Sequence, residues 1–209
     1  MSIYTTEQEE FWAGAFGTDY INRNQGDALL ASNLNFFSNC LKGVRNIRSC
    51  LEFGANVGMN LRALQLLYPD LDIHALEINA NAVKELVNVI YPSCVYHASM
   101  LDFKPWRTWD LTLTKGVLIH MNPEVQPRVY DTLVESTGRY LLIAEYYNPA
   151  PVSIPYRGHN ERLFKRDFAG DIMTRHPRMQ LLDYGFVYHS DPNFPQDDLT
   201  WFLMKKTEL

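Results

Sequence analysis

The sequence predicts an α/β protein built on a parallel sheet with helices on both faces. Three observations support this prediction. Apolar β-type runs alternate with amphipathic segments, the run at 48–53 leads through a glycine-containing turn into a helix pattern, and charged residues recur where apolar runs end. Alternating strands and helices favour parallel pairing with both faces covered. Such sheets bind ligands outside the carboxyl ends of their strands.

The N-terminal segment 1–45 is predicted to form a helical cap ahead of the sheet. Thr6 can cap a first helix, because Glu9 stands three positions later and completes a capping-box pattern. Periodic apolar residues predict a second amphipathic helix over 29–42.

An aromatic run lies between these two helices. It contains Trp12 and Tyr20, and Arg23 follows three positions after Tyr20. One interpretation is a helix that packs on the core. The other is a cover that turns Trp12, Tyr20 and Arg23 toward a ligand.

The apolar run 48–53 is the first predicted strand of the sheet. Gly54, Asn56 and Gly58 follow it, and a periodic pattern then predicts a helix over 58–68. Glycine permits a sharp bend and a close approach of the backbone to a ligand. The sequence therefore predicts a strand, a ligand-binding turn and a helix.

This turn departs from the dinucleotide-binding fingerprint. That fingerprint has glycine at the middle of the turn and again near the start of the helix. Asn56 and Met59 occupy those positions here. Together with Asn60 they disfavour the close backbone approach that a pyrophosphate needs.

Further strands and helices alternate through the middle of the chain. The predicted elements are a strand ending near Glu77, a helix over 80–90, a strand over 93–99, a strand over 109–114, a helix over 123–136 and a strand over 139–147.

Charged residues stand near the carboxyl ends of the predicted strands. One such residue would mean little, but several favour a binding site, because parallel strands end at the same edge of the sheet. A carboxylate about 20 residues beyond the glycine turn is where a ribose diol is held. Glu77 has this position. The full set is Glu52, Glu77, Asp102, Lys115 and Glu145.

The segment 146–170 breaks the alternation. Its three prolines, at 149, 151 and 155, argue against a helix in its first half. A long loop without regular structure is often a lid or binding loop, which is the prediction here. A helix from about 167 and strands near 179–188 and 199–205 follow. The segment concentrates basic or titratable groups at Arg157, His159, Arg162, Lys165 and Arg166.

Composition narrows the class of protein. A length of 209 residues predicts a single domain, 1–209, and the net charge of −5 argues against a general nucleic-acid binder. No apolar run approaches the roughly 18 residues that span a bilayer, and the first residues lack the pattern of a signal peptide. Three widely spaced cysteines suit a reduced cytoplasm. The dispersed histidines predict no metal site.

Several sequence blocks together resemble one family of small enzymes. They include FGTDYINRN, LEFGANVGMN, KGVLIHMNP, YRGH, LFKRDFAG and QDDLTWFL. The chain from about residue 8 to 205 resembles the pseudaminic acid biosynthesis-associated methylases, which depend on S-adenosylmethionine. The resemblance implies the Rossmann-like class I methyltransferase fold, with seven strands, a mostly parallel sheet and an antiparallel C-terminal hairpin.

The resemblance also implies roles for individual residues. S-adenosylmethionine would be the cofactor, with Glu77 on the ribose, Ile78 and Phe103 beside the adenine, and Asp102 on its amine. The full cofactor-binding set is Trp12, Tyr20, Arg23, Gly54, Asn56, Gly58, Asn60, Glu77, Ile78, Asp102, Phe103, Lys115 and Gly116.

The methyl acceptor is expected to be a small polar metabolite, anionic because of the basic segment. His120 and Glu145 are the candidates for the general base. A monomer or a homodimer without a nucleic-acid or membrane partner is expected. The acceptor-binding set is Tyr146, Tyr147, Tyr156, Arg157, His159 and Arg166.

Two other functions remain open from the sequence. One is a nicotinamide-dependent reductase, which Asn56 and the missing third glycine disfavour. The other is a sensor or partner protein that binds S-adenosylmethionine without catalysis.

Overall fold

The computed structural model describes residues 4–23 and 25–207. Residues 1–3, Asn24 and 208–209 lie outside the described residues, although the predicted cap 1–45 and domain 1–209 include them. No helix in the described ranges has the length and apolar character needed to cross a membrane.

The predicted α/β fold class is confirmed. The strands are Ser49–Phe53 (β1), Asp72–Glu77 (β2), Val95–His97 (β3), Trp109–Lys115 (β4), Thr137–Glu145 (β5), Val152–Tyr156 (β6), His159–Lys165 (β7), Met179–Val187 (β8) and Leu199–Lys206 (β9). The helices are Glu7–Ala13 (α1), Ala15–Ile21 (α2), Asp27–Cys40 (α3), Met59–Leu67 (α4), Ala80–Leu86 (α5), Gln126–Ser136 (α6) and Phe168–Arg175 (α7).

A seven-stranded sheet in the order β3-β2-β1-β4-β5-β9-β8 forms the centre of the protein. Strands β1 to β5 pair in parallel. Strand β9 runs antiparallel to β5 and to β8, which gives the predicted C-terminal hairpin. The strand order reverses between β1 and β4, so ligands are expected at the carboxyl ends of these two strands.

The two faces of the sheet are covered by different helices. On one face, buried Phe36 and Phe37 of α3 and Leu64 of α4 pack on the strands. On the other, Leu133 of α6 and Ile172 of α7 do so. Strands buried on both sides explain the nearly continuous apolar runs in the sequence.

The sequence patterns predicted most helix ends to within a few residues of their positions in the structure. The capping box at the start of α1 forms as predicted, with Thr6 Oγ1 accepting from the Glu9 backbone N–H at 3.2 Å. Helix α6 is a correction, because it begins at Gln126 rather than at 123. Asn122 Oδ1 accepts from the Glu124 N–H at 2.9 Å and holds a turn before the helix.

The segment 146–170 is also corrected. It contains an antiparallel hairpin, β6 with β7, instead of an irregular loop. The prolines exclude a helix but allow an edge strand, and the pairing is irregular between Ile154 and Tyr156, around Pro155, which has no N–H to donate.

Candidate active site

A cavity lies at the carboxyl ends of the central strands, beside the point where the strand order reverses. Its floor comes from the ends of β1, β2 and β4, and its roof from α1, α2 and the β6–β7 hairpin. The predicted site residues that line it are Trp12, Tyr20, Gly54, Asn56, Asn60, Glu77, Ile78, Lys115, Gly116, His120, Tyr146, Tyr156 and Arg157.

The turn after β1 needs left-handed backbone at three positions. Gly54, Asn56 and Gly58 have φ of 72°, 48° and 80°. Asn tolerates this conformation better than most residues, which explains how the turn forms without a middle glycine. A Cβ at Gly54 would lie 2.6 Å from Val117, and a Cβ at Gly58 would lie 2.8 Å from Leu86. Gly58 therefore serves helix packing, and it does not line the cavity.

Glu77 is buried at the end of β2 and faces the cavity. One carboxylate oxygen accepts the Asn56 N–H at 2.7 Å, and the other accepts the Asn79 N–H at 2.7 Å. Burial raises the pKa of Glu77, while these backbone bonds lower it. A carboxylate has about four lone-pair sites, so two remain for a ligand such as a vicinal diol.

Of the three residues predicted to contact adenine, one lines the cavity and two do not. Ile78 lines the cavity, whereas Phe103 does not; it packs against Phe53 and Tyr96 at the edge of the core. Asp102 also lies outside the cavity lining, with its side chain 64% exposed and 3.7 Å from Arg128. Ala98 and Ser99, just after β3, line the cavity instead.

Lys115 lines the cavity at the end of β4. Its Nζ lies 3.4 Å from Asn33 Oδ1, and burial lowers its pKa while Glu52 opposes that change. Glu52 is buried and accepts from Asn60 Nδ2 at 2.6 Å. Burial raises the pKa of Glu52 to about 8, while the hydrogen bond from Asn60 and the charge of Lys115 lower it.

The roof is made by contact between the N-terminal helices and the β6–β7 hairpin. Glu7 pairs with Arg162 at 3.1 Å, and Gln8 Nε2 donates to the Glu161 carbonyl at 3.0 Å. The ring centroids of Phe11 and His159 are 5.0 Å apart. Two segments that are distant in the chain thus close over the same cavity.

His120 lies where the floor meets the roof. Its ring is 4.6 Å from Trp12 and 4.8 Å from Tyr156, centroid to centroid. Nδ1 lies 2.6 Å from the Arg162 carbonyl oxygen, which can only accept, so Nδ1 carries the proton and Nε2 keeps the lone pair. Burial lowers the pKa of His120 to about 4, so the ring is neutral at pH 7 but only a weak base.

The general-base hypothesis for Glu145 is not supported by its position. Glu145 is buried outside the cavity lining. It accepts the backbone N–H groups of Val117, Leu118 and Ile119 at 3.1, 3.1 and 3.3 Å. The Thr114 hydroxyl lies 3.5 Å from the same carboxylate, so its lone-pair sites are largely used, and the backbone bonds fix the turn that leads to His120. Burial raises the pKa of Glu145 to about 7.

The β6–β7 hairpin places the basic or titratable residues of 157–166 in different surroundings, so they do not form one cluster. Arg157 lines the cavity, whereas Arg166 pairs with Asp171 at 2.7 Å, as an ion pair that anchors the segment. His159 is exposed and packs on Phe11 and Phe16. Among the other predicted residues, Arg23 and Tyr147 are exposed and do not line the cavity.

Several lining residues were missed by sequence reasoning. Glu9 was predicted only as a helix cap, but it also accepts from the Ser99 hydroxyl and lines the cavity. Asn79 caps α5 through Oδ1, and its Nδ2 reaches the Trp12 carbonyl at 3.0 Å. Asp197, in the segment between β8 and β9, lines the cavity too. The sequence shows Asp197 next to Asp198, but it does not show that this segment lies against the cavity.

Some buried polar atoms have no hydrogen-bond partner among the described residues, and three of these atoms belong to residues that line the cavity. They are Gln8 Oε1, Trp12 Nε1 and Asn56 Oδ1. Buried polar groups are nearly always paired in native proteins. These three groups are therefore candidates for pairing with a ligand.

One group of possible metal ligands occurs in the described residues, at Asp72, His74 and Cys94. It lies at the amino end of β2, opposite the cavity. His74 is already bonded to Asp72 at 3.1 Å and to Tyr96 at 2.9 Å, so hydrogen bonds account for its position.

The fold is similar to that of solved protein structures. A SAM-dependent methyltransferase from Leishmania major aligns with a TM-score of 0.71 at 14% identity, over 96% of this chain and 82% of that one. The fold is that of the class I methyltransferases.

Other solved structures agree with this assignment. A sugar N-methyltransferase from Streptoalloteichus has a TM-score of 0.66 at 14% identity, over 100% of this chain and 97% of that one. Magnesium protoporphyrin IX methyltransferase from Synechocystis, with bound SAM, has a TM-score of 0.69 at 12% identity, over 99% of this chain and 100% of that one. No family model matches the sequence. No curated protein matches it either.

Proposed function

We propose that this protein is an S-adenosylmethionine-dependent methyltransferase that acts on a small polar metabolite. The observation that carries the proposal is Glu77, a buried carboxylate at the end of β2 with two lone-pair sites left for a ribose diol. It faces a cavity at the switch point of a class I methyltransferase fold.

The lining residues would divide the cofactor between them. Glu77 would accept the ribose hydroxyls, Ile78 would lie against the adenine, and the Gly54–Asn56 turn would pass along the methionine moiety. When bound, S-adenosylmethionine supplies an electrophilic methyl group that the acceptor heteroatom takes as the sulfonium becomes a thioether. The protein's part is mainly positioning and exclusion of water by the roof.

His120 would orient the acceptor and take its proton. Its neutral ring presents Nε2 as a hydrogen-bond acceptor. A base with a pKa of about 4 is weak, so this role suits an acceptor that gives up its proton after attack, as an amine does. Transfer to oxygen would need more help with deprotonation. Both O- and N-methylation stay within the proposal.

We further propose that the acceptor carries an anionic group, such as that of a sugar acid or an amino-acid-like compound. The support is Arg157, whose planar guanidinium suits carboxylates and phosphates and lines the cavity from the hairpin. Kinship with the pseudaminic acid biosynthesis-associated methylases belongs to this proposal as well, supported by the sequence blocks from about residue 8 to 205.

The test combines binding with turnover. Calorimetry should show binding of S-adenosylhomocysteine, and NADH and NADPH should not bind comparably. Incubation of the protein with metabolite extract and methyl-deuterated S-adenosylmethionine should give a small molecule that gains one labelled methyl group. Nucleoside binding without any labelled product would favour the catalytically silent sensor, and preferential nicotinamide binding would favour the reductase.

A further inference from the structure

Two charged side chains at the mouth of the cavity differ from their neighbours. Arg157 is at the tip of the β6–β7 hairpin, and Asp197 lies in the segment that joins β8 to β9. Both are exposed and both line the cavity. In the ranges that the structure describes, neither forms an ion pair within the protein.

Three other charged residues in or beside the same two segments, Arg162, Arg166 and Asp198, are held in ion pairs. An arginine or carboxylate held in an ion pair contributes to local structure and is less available to a ligand. The engaged pairs are Arg162 with Glu7 at 3.1 Å, Arg166 with Asp171 at 2.7 Å and His189 with Asp198 at 2.9 Å.

The backbone at Arg157 gives a second, independent indication. Tyr156 pairs with His159, so Arg157 and Gly158 form a two-residue hairpin loop, and their φ angles are 49° and 84°. Positive φ at both positions defines a type I′ turn, which strongly prefers Asn-Gly. An arginine here is unfavourable for folding, and such residues often have a functional reason.

Asp197 and Arg157 also act on each other. The hydrogen bond with Tyr156 is the main cause of the raised pKa of Arg157, and the charge of Asp197 adds to it. A purely anionic ligand at Arg157 would therefore be repelled by Asp197. A purely cationic ligand at Asp197 would be repelled by Arg157. A ligand with one charge of each sign satisfies both side chains.

We infer that the methyl acceptor is a dipolar small molecule, with its anionic group at Arg157 and a cationic amine at Asp197. Compounds of this class are amino acids and amino sugar acids with a free amine. The inference rests on the proposed function and narrows its substrate class.

The experiment starts from the product labelled by methyl-deuterated S-adenosylmethionine in metabolite extract. The unlabelled acceptor should bind a cation exchanger at acidic pH and an anion exchanger at alkaline pH, as a dipolar compound does. Arg157→Asn and Asp197→Asn should each raise its KM by about tenfold or more, which corresponds to about 1.4 kcal/mol. Affinity for S-adenosylhomocysteine should change by less than twofold in both variants.

A control variant and a stability measurement distinguish loss of acceptor binding from general damage to the protein. Asp198→Asn changes the neighbouring carboxylate, which does not line the cavity, and should leave the KM unchanged. Arg157→Asn should keep or raise the melting temperature, because Asn-Gly suits the turn.

A singly charged or neutral acceptor would overturn the inference while leaving methyl transfer intact. Loss of S-adenosylhomocysteine affinity in Asp197→Asn would place that carboxylate on the cofactor's ammonium and overturn it too. Absence of any labelled small molecule would count against the proposed function, and the inference would fall with it.

Discussion

Three buried carboxylates on strands of the central sheet differ in the number of hydrogen bonds they already accept. Glu145 receives three backbone N–H groups and the Thr114 hydroxyl, whereas Glu77 receives two backbone N–H groups and faces the cavity. Glu52 receives one bond, from Asn60. Because an ionised carboxylate has about four lone-pair sites, this count together with contact to the cavity separates Glu145, which stabilises a turn, from Glu77, which can bind a ligand. Glu52 does not line the cavity. Residue type and strand position are similar in each case.

Glu77→Ala should weaken binding of S-adenosylhomocysteine by about 2–3 kcal/mol, since charge-assisted hydrogen bonds to the ribose would be lost. Asp102→Ala is the matched control, because Asp102 also follows a strand but lies outside the cavity. Calorimetry on the two folded variants is the measurement. Equal losses in both would show that position after a strand, and not contact with the cavity, decides the role.

Glu145→Gln should lower the free energy of unfolding by about 1–3 kcal/mol, because the amide presents an N–H group to backbone donors that now meet a carboxylate. Denaturant unfolding would measure this loss. Glu124→Gln, an exposed change of the same chemistry, should stay within about 0.5 kcal/mol of the natural protein. If Glu145→Gln were as stable as that control, the turn before His120 would not depend on these bonds.

At the scale of elements, the roof is held by few contacts between α1–α2 and the β6–β7 hairpin. The contacts are an ion pair, a side-chain bond to a carbonyl and aromatic rings at the surface. The hairpin forms its own two-stranded sheet and does not extend the central one. Segments with few buried contacts open at low cost. Each half is also attached to the rest of the fold, α1 through the contact of Glu9 with Ser99 and the hairpin through buried Leu163. We therefore expect separation of the two halves from each other to admit a ligand.

Binding of S-adenosylhomocysteine should slow hydrogen exchange in both halves of the roof, 7–21 and 152–165, because a ligand beneath them ties them to the floor. Helix α6, on a different part of the sheet, is the internal reference and should not change. Exchange measured by mass spectrometry would resolve these peptides. Unchanged protection in 7–21 would favour the interpretation of the N-terminal aromatics as ordinary core packing.

For the whole molecule, buried ionisable groups link stability to pH. The pKa of His120 is lowered by burial from its ordinary 6.5 to about 4. Between these values the unfolded chain binds a proton that folded His120 does not. Its contribution to stability is therefore complete above pH 6.5 and is lost as the pH falls toward 4.

His120→Asn should remove this component, while its amide can still donate to the Arg162 carbonyl. The free energy of unfolding of the natural protein, relative to the variant, should fall by up to about 3 kcal/mol from pH 6.5 to pH 4. Unfolding curves at a series of pH values give both numbers. A constant difference across that range would mean that the imidazole is not desolvated as described.

The sequence by itself determined the parallel sheet and the edge of the sheet at which the cavity lies. Apolar runs and turns are local patterns, and they predicted the strands of the sheet, whereas the antiparallel pairing at the C-terminus was implied by the resemblance to the methylase family. The carboxyl ends of parallel strands must meet at one edge, so the sequence alone places Glu77 and Lys115 at the same edge of the sheet.

Only the tertiary structure decided what each side chain does at that edge. The contact of Glu9 with Ser99 joins residues 90 positions apart, and no local pattern encodes it. Likewise, Glu145 and Phe103 lie near strand ends as Glu77 does. Backbone N–H groups occupy the carboxylate of Glu145, however, and the ring of Phe103 packs against the core. Periodicity shows which residues end a strand, whereas lone pairs, ion pairs and ring contacts depend on the elements that pack around them.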